Sequence, residues 1–98
     1  MPSFDVNANF DLNRPWRLHP QVSVRPEPFG ALLYHFGTRR LSFLKDRTLL
    51  DLVRKLGTEP TARAACTAVC ITDDAGLVRY QQALGTLATS AMVIERKP

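Results

Sequence analysis

Residues 30–57 read GALLYHFGTRRLSFLKDRTLLDLVRKLG, and their apolar period changes once, at Asp46. Before that point Leu32, Tyr34 and Phe36 alternate with Ala31, Leu33 and His35, the period of a strand with two distinct faces. Gly37-Thr38 predicts a tight reversal, because glycine tolerates positive φ without steric cost. The return strand places Leu41 and Phe43 on one face and Arg40, Ser42 and Leu44 on the other. After Asp46 the spacing becomes helical, with Leu49, Leu52, Val53 and Leu56 in register. Asp46 is placed to cap the start and Gly57 sits just past the end.

Upstream, Val22 and Val24 alternate with Gln21, Ser23 and Arg25, which reads as a first strand. RPEPFG (25–30) carries two prolines and a glycine and reads as a turn or loop. Residues 1–14, rich in Asn and Asp with Phe4 and Phe10 as apolar anchors, read as a flexible tail, leaving an ordered domain over 15–96. Downstream, Glu59-Pro60-Thr61 opens a second helix of small residues, TARAACTAV. Asp73 or Asp74 caps a third, whose stripe is Leu77, Tyr80, Leu84, Leu87, Ala88 and Ala91. Gly85 interrupts that helix at about 1 kcal/mol relative to alanine, either for close packing or as a tolerated flaw. The closing MVIERKP either adds a short strand or frays. The expected fold is α+β: a small winged-helix-like domain, a three-stranded antiparallel sheet followed by three helices that cover one face of it.

Composition limits what such a domain can do. The chain has 98 residues, 45% of them hydrophobic, enough for one core and too few for a deep catalytic cleft. Its longest apolar run is far below the about 20 residues that span a bilayer. MPSFDVNANF has neither the basic nor the apolar region of a signal peptide, so a cytoplasmic protein without a membrane partner is expected. The formal net charge is +4. Arg39, Arg40, Lys45, Arg47, Arg54 and Lys55 fall within seventeen positions that hold only Asp46 and Asp51 against them. That cluster is either a solvated face or a surface for an acidic ligand.

Catalytic chemistry finds no footing. Asp5, Asp11, Asp46, Asp73, Asp74 and Glu95 are scattered, and helix capping accounts for those at helix starts. His35 lies in a strand without an evident partner and His19 lies beside Pro20. Cys66 and Cys70, four apart, share one helix face and read as small buried residues, too few for a zinc site. No enzyme activity, metal or cofactor is expected. A winged-helix DNA-binding regulator is the alternative. Its recognition helix would offer Arg79, Gln81, Gln82 and Thr86, with one positive charge and two aspartates at its start, a poor layout for reading a major groove. The other reading is capture of an extended peptide on the edge of the third strand, RRLSFLK, which contains no proline. Its cations either only protect the edge from self-pairing or also attract an acidic peptide.

The stretch WRLHPQVSVRPEPFGALLYHFGTRRLSFLKDRTLLDLVRKL, above all RPEPFGALLYHFGTRRLSFLK, resembles the mycofactocin biosynthesis chaperones of the PqqD-like group of precursor-peptide recognition elements. YQQALGTLATSAMVIER resembles the family's closing helix. The resemblance spans roughly residues 13–96 and is weakest in ARAACTAVCITDDAG. It implies a non-catalytic protein that holds the leader of a ribosomally made precursor peptide and presents it to a radical S-adenosylmethionine maturase with iron–sulfur clusters. It also implies that the leader lies as an added strand between the third strand and the third helix. Carried onto this chain, the strand side is Arg39, Arg40, Leu41, Ser42, Phe43, Leu44 and Lys45. The helix side is Val78, Arg79, Gln82 and Leu84.

Overall fold

The computed structural model describes residues 10–96. In it the alternation of 30–44 becomes a real division of faces. Three strands, β2 (Val22–Glu27), β3 (Gly30–His35) and β4 (Arg40–Leu44), form an antiparallel sheet in the order β2-β3-β4. Ala31, Leu33, His35 and Leu44 are buried on the helix side, while Leu41 and Phe43 point to solvent. A second, two-stranded sheet pairs β1 (Trp16–Leu18) with β5 (Val93–Glu95). The three helices are α1 (Arg47–Leu56), α2 (Ala62–Ala68) and α3 (Asp74–Thr89). The α+β class with a three-stranded antiparallel sheet and three helices is as expected. The terminal segment resolves to a strand, and its partner Trp16–Leu18 had no alternation long enough to announce it.

Three local expectations need correcting. β2 runs through Pro26 to Glu27, and Glu27 pairs with Gly30 across the two residues Pro28 and Phe29. The hairpin is thus tighter than the two prolines indicated. Gly30 (φ +148) is required there, since a Cβ would collide with the Leu44 carbonyl. The β3–β4 turn does not use Gly37 in the left-handed region; Arg39 takes it (φ 61). His35 builds that turn: its Nδ1 accepts the N–H groups of Gly37 (3.0 Å) and Thr38 (3.1 Å), and its carbonyl accepts that of Arg39. Cys70 does not share a buried helix face with Cys66. It lies beyond α2 with φ 67 and is exposed, whereas Cys66 is buried, which pushes its thiol pKa up.

Helix starts follow the sequence closely. Asp46, Thr61 and Asp73 accept from Thr48, Ala64 and Gly76 N–H respectively. Helix ends do not. α2 and α3 finish in paired reverse bonds, Ile71 N–H to the Cys66 carbonyl and Met92 N–H to the Leu87 carbonyl. Cys70 and Ala91 occupy the left-handed position usually given to glycine.

The core joins the sheet's inner face to all three helices through Leu33, Leu44, Leu52, Leu56, Cys66, Leu84 and Met92. Of the expected tail, residues 1–9 lie outside the described residues. Phe10 and Leu12 are buried, Phe10 stacks on Trp16 at 4.3 Å, and Gln81 donates to the Phe10 carbonyl at 2.6 Å. Packing therefore begins before Pro15.

Candidate functional site

A central antiparallel strand bonds alternately to its two neighbours, so one observed bond sets the parity of the whole sheet. Phe36 N–H donates to the Gln21 carbonyl at 2.9 Å. Counting by twos, Tyr34, Leu32 and Gly30 turn to β2, and His35, Leu33 and Ala31 turn to Arg40, Ser42 and Leu44 of β4. The Leu44 carbonyl does lie against Gly30, on the β3 side. The N–H and C=O groups of Leu41 and Phe43 therefore point away from β3, along the free edge. No other backbone bond among the described residues engages either of them.

The same parity distinguishes the two edges of the sheet. On β2 the outward positions are Val22, Val24 and Pro26, so proline's missing N–H falls on the open side and interrupts that edge. On β4 the outward positions carry no proline, and exposed cations flank them: Arg39 and Arg40 at one end, Lys45 at the other. Among the described residues none of these three makes an ion pair.

The end of β4 is tied to α3 through Asp46. The Tyr80 hydroxyl donates to Asp46 Oδ2, Arg79 Nη2 lies 3.6 Å from the same oxygen, and Thr48 N–H donates to Oδ1 at 2.8 Å. Partial burial pushes the Asp46 carboxyl up. The bonds from Tyr80 and Thr48, with Arg79 alongside, outweigh it and leave its pKa below the ordinary value. Burial and the Asp46 bond raise that of Tyr80. A carboxyl held low in the folded state stabilises the fold above its unfolded pKa, and that contribution fades as pH falls through the lower folded value. Tyr80→Phe is therefore expected to cost about 1–2 kcal/mol near neutrality. The cost should shrink as the pH falls below the ordinary aspartate range and through the lowered folded-state pKa of Asp46. Urea unfolding of both proteins across that range checks it.

The residues expected to bind peptide fall into two groups. Arg39, Arg40, Leu41, Phe43 and Lys45 are exposed, Ser42 is half-buried, and Val78, Arg79 and Gln82 are exposed on α3. Leu44 (1% exposed) and Leu84 (0%) are core residues whose side chains are closed to a ligand. On α3, Arg79 and Tyr80 turn toward Asp46 and Gln81 toward Phe10, so the flank nearer β4 continues from Arg79 to Ala83, four residues on. Ala83 was absent from the sequence-derived set because the helix's rotation about its axis depends on tertiary contacts. A concavity of about 490 Å³ lies among Thr48, Cys70, Ile71, Asp73, Arg79 and Tyr80, none of them on β4. Strand addition needs an edge rather than a cavity, so that cleft does not compete with β4 as a candidate edge for an added strand. Arg79, the one cation on α3, is engaged with Asp46, which leaves the helix poorly equipped to meet DNA phosphates.

Fold and site together define a small α+β domain with one interrupted and one uninterrupted sheet edge. Among the described residues there is no group of three or more His, Cys, Asp or Glu side chains placed to hold a metal ion, and no helix long and apolar enough to cross a membrane. The profile of the peptide chaperone MftB family matches residues 15–94. The chain is 55% identical over 91 residues to the peptide chaperone MftB of Mycobacterium tuberculosis (strain ATCC 25618 / H37Rv), covering 93% of this chain and 83% of that one. It is 57% identical over 88 residues to that of Mycobacterium ulcerans (strain Agy99), covering 90% and 80%. No solved structure gives a significant match. The chain belongs to the peptide chaperone MftB family, a family of chaperones and not of enzymes.

Proposed function

We propose that this protein binds the leader of the mycofactocin precursor peptide as an added strand on β4 and delivers it to the radical S-adenosylmethionine maturase that modifies it. One observation carries the reading: the outward N–H and C=O groups of Leu41 and Phe43 lie on the sheet edge that proline leaves open. The relatives' name, peptide chaperone, supports a peptide as the ligand. The iron–sulfur chemistry belongs to the maturase; this chain supplies position.

The energetics suit a carrier. Four or five backbone bonds contribute about 0.5–1.5 kcal/mol each without reading sequence. Apolar leader side chains beside Leu41 and Phe43 add about 25 cal/mol per Å² buried. Ordering a flexible peptide opposes this by about 2–5 kcal/mol. The balance falls at dissociation constants of roughly micromolar to tens of nanomolar, tight enough to capture a leader and weak enough to release it.

The test is a titration of isotope-labelled protein with the synthetic precursor peptide, followed by backbone amide shifts. Saturating shifts centred on residues 39–45 and on the Arg79–Ala83 flank of α3 are expected. Absence of shifts at peptide concentrations far above a micromolar dissociation constant would reject the reading.

A further inference from the structure

β4 presents two surfaces at once. Its backbone groups at Leu41 and Phe43 face the edge, while their side chains stand on the sheet face turned away from the helices. Of the five exposed large apolar side chains among the described residues, four are on that side: Phe29 (46% exposed), Phe36 (60%), Leu41 (55%) and Phe43 (60%). Phe29 and Phe43 pair at 6.1 Å, and the half-buried Tyr34 meets Phe36 edge-on at 5.0 Å. Leu32, which pairs with Phe43 in the ladder, lies between them on the same face. Isolated exposed apolar residues are ordinary; a contiguous aromatic face on so small a domain marks an interaction surface.

We infer that this open sheet face docks a second, folded protein, the one that receives the peptide, through an apolar patch edged with carboxylates. Charge sets the partner's chemistry. Arg39 and Lys45 stand unpaired beyond the two ends of the Leu41–Phe43 row, whereas Arg25 on the β2 side is already held by Glu27 at 2.9 Å. A second copy laid on the face would bring more unpaired cations than carboxylates into contact, and a partner with acidic rim groups would not. The inference rests on the strand-addition reading for one consequence. A peptide added to β4 widens the face by one strand, about 4.8 Å, with every second peptide side chain level with Leu41 and Phe43. A partner lying across the face then buries chaperone and peptide together and binds the loaded form more tightly than the empty one.

The variant that tests this changes the face without touching β4: Tyr34→Thr with Phe36→Ser, both on the solvent side of the sheet. Titration calorimetry is run with the precursor peptide alone, and with purified maturase in the presence and absence of peptide. The expected result is peptide affinity within about twofold of the parent and maturase affinity reduced more than tenfold in both maturase arms. Unchanged maturase affinity would overturn the inference. So would loss of peptide affinity in the variant, which would make the face part of the peptide site. A parent dimer in sedimentation that the variant abolishes would overturn it as well, in favour of a second copy. Failure of the parent to bind peptide strikes the strand-addition reading alone, because the maturase arm without peptide tests the face by itself.

Discussion

Phe43→Pro is expected to weaken peptide binding about 100-fold with the domain still folded, and Leu44→Pro, one residue further along β4, is expected to unfold it. The contrast follows from sheet parity. The Phe43 N–H points to the open edge, so proline there removes no internal ladder bond, and an edge strand tolerates its fixed φ. What it removes is a donor to the peptide, putting a methylene where a peptide carbonyl must sit. An acceptor left unpaired costs about 1–3 kcal/mol, and the lost aromatic contact about 1 kcal/mol more. Together that approaches the about 2.8 kcal/mol of a hundredfold change. Leu44 differs in both respects. Its N–H serves the β3 ladder opposite Ala31, and its side chain is 1% exposed in the core. Losing that side chain alone costs about 2–5 kcal/mol, against a total stability of about 5–15 kcal/mol for a domain of this size. Circular dichroism and peptide titration of both variants decide the matter. Phe43→Ala keeps the N–H and should fall between parent and Phe43→Pro. Equal binding by Phe43→Pro and Phe43→Ala would show that the peptide does not pair with this edge.

How far the sequence led depends on which physical signal was local. Strand faces in residues 31–44 were legible because alternation is a property of the strand itself; which face is buried was not, and the structure buries Ala31, Leu33, His35 and Leu44. Helix starts were legible because Asp46, Thr61 and Asp73 each bond an N–H two or three residues on. The end of α1 before Gly57 and the reversal around Gly37-Thr38 were legible too, but the left-handed positions were not. Glycine was taken as the marker of left-handed backbone, yet Gly57 is right-handed (φ −75), and Arg39, Cys70 and Ala91 take the positive values. The reverse bonds to the Cys66 and Leu87 carbonyls enclose Cys70 and Ala91, and the Arg39 N–H bond to the His35 carbonyl holds Arg39, in a conformation their own side chains disfavour. The β1–β5 sheet was hidden for a related reason: strands of three residues show almost no period, and their pairing is set by termini far apart in the chain.

The candidate site divides along the same line. The strand proposed to dock the peptide was visible in the sequence as an unbroken run without proline, and the structure places it as the edge strand β4. Its polarity could not, because which residues bond inward depends on the register with β3, and Leu44 was grouped with its neighbours until that register was known. The wall on α3 was harder still. Val78, Arg79, Gln82 and Leu84 spread over about 220° of a helix's circumference, and it takes tertiary contacts to orient it: burial of Leu84 and Leu87, and the contacts of Arg79 and Tyr80 with Asp46 and of Gln81 with Phe10.

Arg39→Glu with Arg40→Glu is expected to slow peptide association about tenfold at low salt, leave dissociation nearly unchanged, and flatten the dependence of the association rate on ionic strength. Both side chains are exposed and, among the described residues, make no ion pair, so their field acts on an approaching leader and not on the fold. Exposed rim charges change the rate of encounter more than the lifetime of the complex. Their reach is about 10 Å at 0.1 M salt, comparable to the distance from the β3–β4 turn to the middle of β4. Glutamate at position 39 adds no backbone strain, since φ 61 is as unfavourable for arginine as for glutamate. The double reversal takes the formal net charge from +4 to zero, so the global and the local effect must be separated. Arg54→Glu with Lys55→Glu makes the same change of net charge in the last turn of α1, away from the edge. Stopped-flow association rates at several ionic strengths, measured on both variants, distinguish the two. A slower rate in the Arg39/Arg40 variant alone assigns the steering to the start of β4. Equal slowing in both would make it a property of the whole molecule's charge, and an unchanged salt slope in both would remove electrostatic steering from the account of how this chaperone finds its peptide.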